Sequence, residues 1–365
     1  MSEYDGRQFV GIDLHRRRSV IVRTSDTGQA LEVARISNDV DSLGRVMSRA
    51  GEAPEVVLEA TYGWYWATDA LQDAGAVVHL AHPLGVKMFE HRRVKNDVRD
   101  ATDLADLLRM GRLPEAWIAP PATRELRELV RHRAKLVTLR TGAKNQVHAV
   151  LAKLGVQVPM SDLFSDRGLE LLAAVAAPAP YVARIQSLQR LIEALDQEID
   201  VFARLARGKL VADPAYRAVQ TIPGIGPVLA AVFVAEIGDV TRFRSAAHLA
   251  SWAGLTPKHH ESDTHVRRGR ITKQGSKLVR WAAIESVKRL GPHTGVGPVK
   301  IRVADRRGKN IGAVAAARRQ VEHVYYALRD GQVRALDKGP GSGRRPGRGH
   351  DAPSHFLVGA RSCRS

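Results

Sequence analysis

Four carboxylates stand at the ends of segments that the sequence marks as regular structure. Asp13 follows the apolar run FVGI, and Glu59 follows the apolar run VVL. Asp97 and Asp100 lie three residues apart in NDVRDATDLADLLR, so on a helix they share one face. Carboxylate oxygens are the ligands that Mg²⁺ selects, and two such ions about 4 Å apart can clamp both oxygens of a phosphodiester displacement. Each acid alone is more typical of a cap or turn, and Asp103 is an alternative partner for Asp100, but the ordered set of four predicts a metal site.

A second stretch that could do chemistry is KHHESDTHVRRGRITKQGS, residues 258–276. A metal site is disfavoured there, because its histidines have no zinc-finger or helical spacing and no cysteine accompanies them. These are His259, His260 and His265. A phosphate-binding loop is a second possibility, because the stretch and the residue just after it are rich in cations. The candidate phosphate contacts are Arg267, Arg268, Arg270, Lys273 and Lys277. A hydroxyl nucleophile among cations also fits, since positive groups stabilise the charge of an attacked phosphodiester. From the residues alone, its candidates are Ser262, Thr264, Thr272 and Ser276.

The composition bounds the class of protein. With 365 residues, 44% of them hydrophobic and 26% charged, the chain is typical of globular proteins and long enough for two or more domains. The net charge of +18 favours a polyanionic partner, and fifteen Lys and Arg stand against two acids between His265 and Arg319. No apolar run approaches the roughly 18 residues of a membrane-spanning helix. The polar N-terminus and the single cysteine, Cys363, predict a cytoplasmic protein without disulfides.

Strand-like and helix-like segments alternate before residue 120 and must position the acids. FVGIDLH, SVIVRTSD and ALEVARIS predict an antiparallel meander, and EVVLEA and AVVHLA predict two further strands among helices. We therefore predict an α/β domain with a mixed sheet over residues 1–120. In such a domain the four acids would converge at one end of the sheet. This is the arrangement of RNase H-like nucleases.

After residue 120 the pattern becomes helical. Residues 121–212 are predicted to form a helical linker that carries a coiled-coil-like seam of apolar residues at spacings of three and four. The seam consists of Ile185, Leu188, Ile192, Leu195, Ile199 and Phe202. It fits a hairpin with the preceding helix and a contact between subunits equally well. Residues 213–330 predict a mostly α-helical second domain, and residues 331–365, rich in Gly and Arg, a disordered basic tail.

Two further features of the second domain have more than one interpretation. TIPGIGPVLA places Gly224 and Gly226 in a Pro-Gly-x-Gly turn that opens a helix. In helix-hairpin-helix elements such a turn offers backbone amides to a DNA phosphate, but a glycine turn can equally serve to pack two helices. Trp252 and Trp281 stand at helical positions and are predicted to be core residues rather than platforms for base stacking.

Several motifs resemble a known family. GIDLH, LEATYGWYW and KNDVRDATDLA, in that order, resemble the DEDD motif of the 110 group of insertion-sequence transposases, whose N-terminal domain is similar to the Holliday-junction resolvase RuvC. In that group the final acids stand as K-x-D-x-x-D-A, which selects Asp97 and Asp100 over Asp103. SWAGLTPKHHESDTHVRRGRITKQGSKLVRW matches the group's C-terminal transposase domain through G-L-x-P, a serine, R-G and I-T-K-x-G. The resemblance covers about residues 8–330.

The resemblance implies a DNA recombinase of a mobile element. It implies Mg²⁺ or Mn²⁺ at the four carboxylates and selects Ser262, separated from G-L-x-P by four residues, as a nucleophile that forms a covalent phosphoserine linkage with DNA. It further implies a structured bridge RNA that chooses target and donor DNA, a homo-oligomer (dimer or tetramer), and an active site composed from both domains. Asp263 and Thr264 depart from the small residues that many relatives carry after the serine.

Two other functions fit the same residues. In a metal-dependent junction resolvase, Ser262 would only contact a phosphate. In a non-catalytic nucleic-acid-binding protein, the acids Asp13 and Asp100 would be dispensable for every activity.

Overall fold

The structure is a computed structural model that describes residues 4–89, 96–263, 265–333 and 336. The chain divides into two units, Met1–Pro120 and Pro121–Ser365. Apart from residues 331–333 and 336, the predicted basic tail lies outside the described residues.

The first unit is a six-stranded sheet with helices on both faces. Its elements are β1 Phe9–Leu14, β2 Arg18–Thr24, β3 Ala30–Ser37, α1 Val40–Met47, β4 Glu55–Glu59, α2 Trp64–Asp73, β5 Val77–Ala81, α3 Pro83–Val86, α4 Asp97–Arg109 and β6 Glu115–Ala116. The strand order is β3-β2-β1-β4-β5-β6, with β4 parallel to β1 and β5 and all other pairs antiparallel. The predicted meander and the predicted mixed sheet of an RNase H-like fold are confirmed.

Alternation along β1 sends its side chains to two different cores. Val10, Ile12 and Leu14 pack on the face covered by α1 and α2. Phe9 lies on the other face, in a small cluster with Leu104 and other residues of α4. The second face is the one that matters for the acids, because it brings α4 onto the strand.

Gly11 allows α4 to lie directly against β1. A Cβ at this position would stand 1.8 Å from the carbonyl oxygen of Ala101 and 3.0 Å from the amide nitrogen of Ala105. Glycine therefore removes the side chain that would otherwise hold the helix backbone away from the strand.

The second unit is mostly helical, as predicted. Its elements are α5 Pro121–Lys153, α6 Asp166–Ala174, α7 Ala179–Leu210, α8 Pro214–Gln220, α9 Pro227–Ile237, a 3₁₀ turn Val240–Arg242, α10 Ala246–Trp252, β7 Pro257–Ser262, β8 His265–Ile271, α11 Lys277–Val287, α12 Gly297–Arg307 and α13 Lys309–Asp330. After Ser276 the chain forms three helices, α11, α12 and α13, which are separated by residues 288–296 and by Gly308, where the chain turns from α12 into α13.

The apolar seam of α7 packs against α5 within the chain. Ile185, Leu188 and Ile192 share one buried cluster with residues of α5, and Leu195 and Ile199 share a second. The hairpin with the preceding helix, one of the two interpretations of the seam, is therefore present.

A buried carboxylate ties three helices of this unit together. Glu236 in α9 is 4% exposed and accepts hydrogen bonds on both oxygens from Arg131 of α5, at 2.7 and 3.2 Å. The Ser276 hydroxyl, which caps α11, donates to the same carboxylate at 2.9 Å and accepts from the amide of Val279. Arg127 adds bonds to the carbonyls of residues 235 and 236. These charged hydrogen bonds fix the start of α11 against α9 and α5.

Candidate active site

Asp13 and Glu59 lie at the same end of the sheet and on the same face. β1 and β4 run parallel and register Ile12 with Leu58, so the two acids are the next residues of their strands. Asp13 follows two residues after Gly11, on the face that α4 covers. By the same alternation Glu59 lies on the face of Val57, which packs with α4.

Asp97 and Asp100 lie in the first turn of α4. Asn96 caps the helix by accepting a hydrogen bond from the amide of Val98 at 3.0 Å, and Asp97 is the first helical residue. Because Gly11 lets Ala101 touch β1, this first turn comes close to the strand end that carries Asp13.

His15 joins the two elements. Its Nε2 atom lies 3.1 Å from Oδ2 of Asp13 and 3.4 Å from Oδ2 of Asp97. One ligand atom from each of the three side chains falls within 4.8 Å of the others. Asp13 is the least exposed, with 18% of its side chain accessible, against 44% for His15 and 50% for Asp97.

This donor set fits a divalent cation. Two carboxylate oxygens suit Mg²⁺ and Mn²⁺, and an imidazole nitrogen suits the transition metals more than Mg²⁺. Within the described parts of the chain, Glu59 and Asp100 do not belong to this three-residue group, although both lie on its side of the sheet. Sequence reasoning missed His15, whose signal was present in GIDLH, two residues after the first acid.

Ser262 lies in a β-ribbon. The stretch predicted to be a loop forms the antiparallel pair β7 and β8, in which Ser262 pairs with His265 and residue 260 with Arg267. Directly opposed residues point to the same face, so Ser262, His265 and Arg267 share a face of the ribbon. All three are exposed. Asp263 begins the turn with φ of 52°, a left-handed conformation that Asp tolerates better than most residues do.

Of the other hydroxyl candidates, two have different surroundings. Ser276 is the N-cap of α11 and donates to Glu236. The Thr272 hydroxyl is buried and has no hydrogen-bond partner among the residues that the structure describes. Thr264 lies outside the described residues. Ser262 is therefore the exposed hydroxyl of this set for which the structure gives a position.

The predicted cations line the ribbon and the following turn. Arg267, Arg270, Lys273 and Lys277 are exposed, and the side chain of Arg268 lies outside the described part of the structure. Of the histidines that sequence reasoning set aside as metal ligands, His259 pairs with Glu261 at 3.1 Å. On β8 and in the segment that follows it, the arrangement offers exposed positive charge for contact with phosphates.

In the Pro-Gly-x-Gly turn, one glycine packs closely against another helix, whereas the space beside the other glycine is open. Gly224 has φ of 86°, and a Cβ there would lie 2.0 Å from the carbonyl oxygen of Ser286. Gly226 precedes α9 as its N-cap, without a side-chain cap, and a Cβ there would meet no atom within 4 Å. The helix N-terminus at Gly226 can therefore be approached by an anion.

None of the described helices combines the length and the apolar character needed to cross a membrane.

The mixed sheet, with an acid-bearing strand packed against an acid-bearing helix, has the architecture of a DEDD domain with an RNase H-like fold. A family profile for DEDD transposases of the IS110 type matches residues 10–155, and a profile described as Transposase IS116/IS110/IS902 family matches residues 216–308. The chain belongs to this IS110 group of insertion-sequence transposases and is a DNA transposase, an enzyme that binds DNA.

Individual relatives agree with the family. The chain is 28% identical to a probable family 20 transposase of Pseudomonas aeruginosa, over 61% of this chain and 67% of that protein. It is 26% identical to an uncharacterized protein of insertion element IS116 from Streptomyces clavuligerus, over 90% of this chain and 96% of that protein. It is also 26% identical to the mini-circle putative transposase for IS117 of Streptomyces coelicolor, over 78% of this chain and 86% of that protein.

Proposed function

We propose that this transposase cuts and rejoins DNA with metal-binding carboxylates in residues 1–120 and a serine nucleophile in residues 213–330, the two joined by the helical linker 121–212. The observation that carries the metal half is the approach of Asp13 and Asp97 to one atom, Nε2 of His15, at 3.1 and 3.4 Å. Two carboxylates that meet on a shared partner, where Gly11 lets α4 lie against β1, are placed for a common ligand rather than for separate caps.

The metal ligands in this proposal are Asp13, Glu59, Asp97 and Asp100, joined by the imidazole of His15, and they hold Mg²⁺ or Mn²⁺. The bound ion would polarise a non-bridging oxygen of the scissile phosphate. The role of the protein is to position these ligands. Strands β1 and β4 hold the first two acids in register. The Asn96 cap and the contact of Ala101 with Gly11 hold the first turn of α4 in place.

The nucleophile in this proposal is Ser262. Its Oγ attacks phosphorus and loses its proton, the new Oγ–P bond forms, and the bond from phosphorus to the 3′ oxygen breaks. The departing oxygen takes up a proton and becomes a free 3′-hydroxyl. That hydroxyl later attacks the phosphoserine of the exchanged strand and releases the enzyme. Arg267, on the same ribbon face as Ser262, supplies positive charge beside the attacked phosphate.

The nucleic acid in this proposal is bound by the cations of the ribbon and by the turn before α9. Arg267, Arg268, Arg270, Lys273 and Lys277 contact phosphates, and the backbone at Gly224 and Gly226 presents the N-terminus of α9 to another. The partners are DNA and a structured bridge RNA, and the net charge of +18 supports two polyanions. A dimer or tetramer would exchange two DNA strands at each end of the insertion sequence.

Replacement of the serine tests this proposal. Ser262→Ala is expected to abolish the covalent protein–DNA adduct, seen as a band that resists denaturing electrophoresis. Ser276→Ala is the matched control, because it removes a hydroxyl of the same domain that caps α11. It should lower stability by about 1 kcal/mol and leave the adduct. If Ser262→Ala still cleaves DNA, the chain works as a resolvase-like nuclease and the serine chemistry is wrong.

The RNA partner has its own test. RNA transcribed from the flanks of the insertion sequence should copurify with the full chain, and ribonuclease treatment should stop recombination. Recombination that survives complete removal of RNA would contradict the guided mechanism but not the serine nucleophile.

A further inference from the structure

A cavity of about 630 Å³ lies within the helical unit, and none of the described residues of β7 and β8 lines it. Residues of α5, α7, α8, α9 and α11 form its wall, most of which is apolar. Its volume falls in the range of about 300–1,000 Å³ that is usual for sites of small organic ligands. Its lining also includes the indole of Trp281 and five charged residues, Arg133, Arg140, Asp200, Arg204 and Arg207.

The charged residues of this cavity favour the binding of an anion. Four arginines stand against one aspartate in the lining. The Nε atoms of Arg133 and Arg140 are buried and have no hydrogen-bond partner among the described residues. The Arg140 guanidinium also pairs with Asp196 through Nη1, so Arg133 is the cation of the two for which no ion pair is described. Burial, and then the charge of Arg140, lower the pKa of Arg133, while Asp200 acts in the opposite sense. A desolvated guanidinium beside a second one is stabilised by an anion that accepts its hydrogen bonds, and phosphate matches the guanidinium geometry.

The rest of the cavity wall favours the binding of a flat apolar group. Trp281 was predicted to be a core residue, and the structure corrects this: 43% of it is exposed, at the cavity. Trp252 differs, since it packs on Phe243 beneath the guanidinium of Arg242. An exposed indole next to alanine, valine and leucine side chains offers a surface on which a base can stack.

We propose that this cavity binds one unpaired nucleotide of a nucleic-acid strand, with its base against Trp281 and its phosphate at Arg133. A base inside an intact duplex is already stacked on both faces, so only an extruded or single-stranded nucleotide can enter. The chemistry is common to DNA, to RNA and to a free mononucleotide. This site does not depend on Ser262 or on the carboxylates.

Fluorescence anisotropy with the full chain and labelled strands of about 12 nucleotides tests the base contact. The probes are oligothymidylate, an abasic strand of equal length, and oligouridylate. Trp281→Ala is expected to weaken oligothymidylate binding about 5- to 100-fold, as loss of one stacked base would, and to change abasic binding less than about twofold. Trp281→Phe should retain most of the affinity. Tyr326→Ala, which removes another exposed aromatic of this unit, is the matched control and should bind normally.

The phosphate contact is tested with Arg133→Gln. This variant should weaken the thymidylate and abasic strands alike, by about tenfold, because both keep the phosphates. Arg190→Gln on α7 removes the same charge from an exposed position and should have a much smaller effect.

The comparison of probes decides the proposal and the source of the nucleotide. Equal losses on the thymidylate and abasic strands for Trp281→Ala, or no loss on any of the thymidylate, abasic and uridylate strands, would overturn it. A loss confined to oligouridylate or to oligothymidylate identifies RNA or DNA as the strand. Displacement of the strand by thymidine monophosphate at equal concentration identifies a free nucleotide.

Discussion

Substitution of Gly11 by alanine should damage the candidate metal site without changing any of its proposed ligands. The added Cβ would stand 1.8 Å from the carbonyl oxygen of Ala101, and ordinary contact begins at 3.4 Å, so the pair is 1.6 Å too close. The Ala101 carbonyl belongs to the backbone of α4, and the glycine to the centre of the sheet. Since neither can yield by a change of rotamer, the helix must move outward by about that distance.

The magnitude follows from what such a movement disrupts. Residues of α4 such as Leu104 and Leu108 form the core on this face of the sheet. Overpacking of this kind costs about 1–3 kcal/mol, and a backbone contact lies at the upper end. In the unsubstituted protein, Oδ2 of Asp97 lies 3.4 Å from Nε2 of His15. A shift of about 1.6 Å in the first turn of α4 would move Asp97 away from His15 and weaken metal binding.

Two measurements on the full chain check this. Hydrogen–deuterium exchange should rise in peptides that cover β1 and α4, and calorimetry should find Mn²⁺ affinity lowered by about tenfold or more, the effect that even outer-shell changes have at metal sites. Gly44→Ala is the matched control. Gly44 lies within α1, a Cβ there would meet no atom within 4 Å, and alanine should stabilise the helix by up to about 1 kcal/mol.

Normal exchange and normal Mn²⁺ affinity in Gly11→Ala would refute the reasoning, because the contact of α4 with β1 would then not position Asp97. Increased exchange with unchanged metal affinity would separate the two claims: the close packing would stand, and the group of Asp13, His15 and Asp97 would not be the metal site.

Three further predictions concern separate groups. Mn²⁺ bound to the full chain should show nitrogen modulation in pulsed electron paramagnetic resonance, and His15→Gln should abolish it; modulation that persists means that another nitrogen is the ligand. Glu236→Ala should lower unfolding stability by about 1–3 kcal/mol in thermal denaturation, since Arg131 and Ser276 lose their acceptor. The adduct that we propose for Ser262 should persist in the folded protein. Burial and then Arg319 lower the pKa of His323 from its ordinary 6.5, with Glu322 opposing, so the folded state favours the neutral ring. Stability should therefore be complete above about pH 6.5 and fall as the pH drops through the folded pKa, and a His323→Leu variant whose melting temperature keeps the same acid dependence would exclude this assignment.

The sequence predicted the elements whose pattern is apolar. The sheet of the first unit follows from alternating or continuous apolar runs, which also place Asp13 and Glu59 at strand ends. The seam of α7 follows in the same way from its spacing, although spacing alone could not say that α5, rather than another subunit, covers it.

Features without an apolar signature could not be predicted. The ribbon of β7 and β8 has no apolar alternation, and its described side chains are exposed except for the half-buried Ile271, so its strands are held mainly by backbone pairing. Its turn lacks the Asn-Gly or Asp-Gly pair that signals a hairpin. The place of His15 depends on the approach of α4 to β1, a long-range contact that local sequence does not encode.

The two candidate reactive groups are held by different physical means, and this difference bears on how each can act. Asp13 and Asp97 are positioned by the interface between β1 and α4, which is tightly packed at Gly11, so their geometry exists before any substrate binds. A preorganised set of carboxylates suits ion binding, because ligands that must otherwise be gathered cost affinity. Ser262 instead lies at the exposed tip of a polar ribbon, beside Asp263 in a left-handed turn. A nucleophile that must reach a phosphate, remain bonded to the strand through its exchange, and then be released benefits from a tip that can move with the DNA without opening a core.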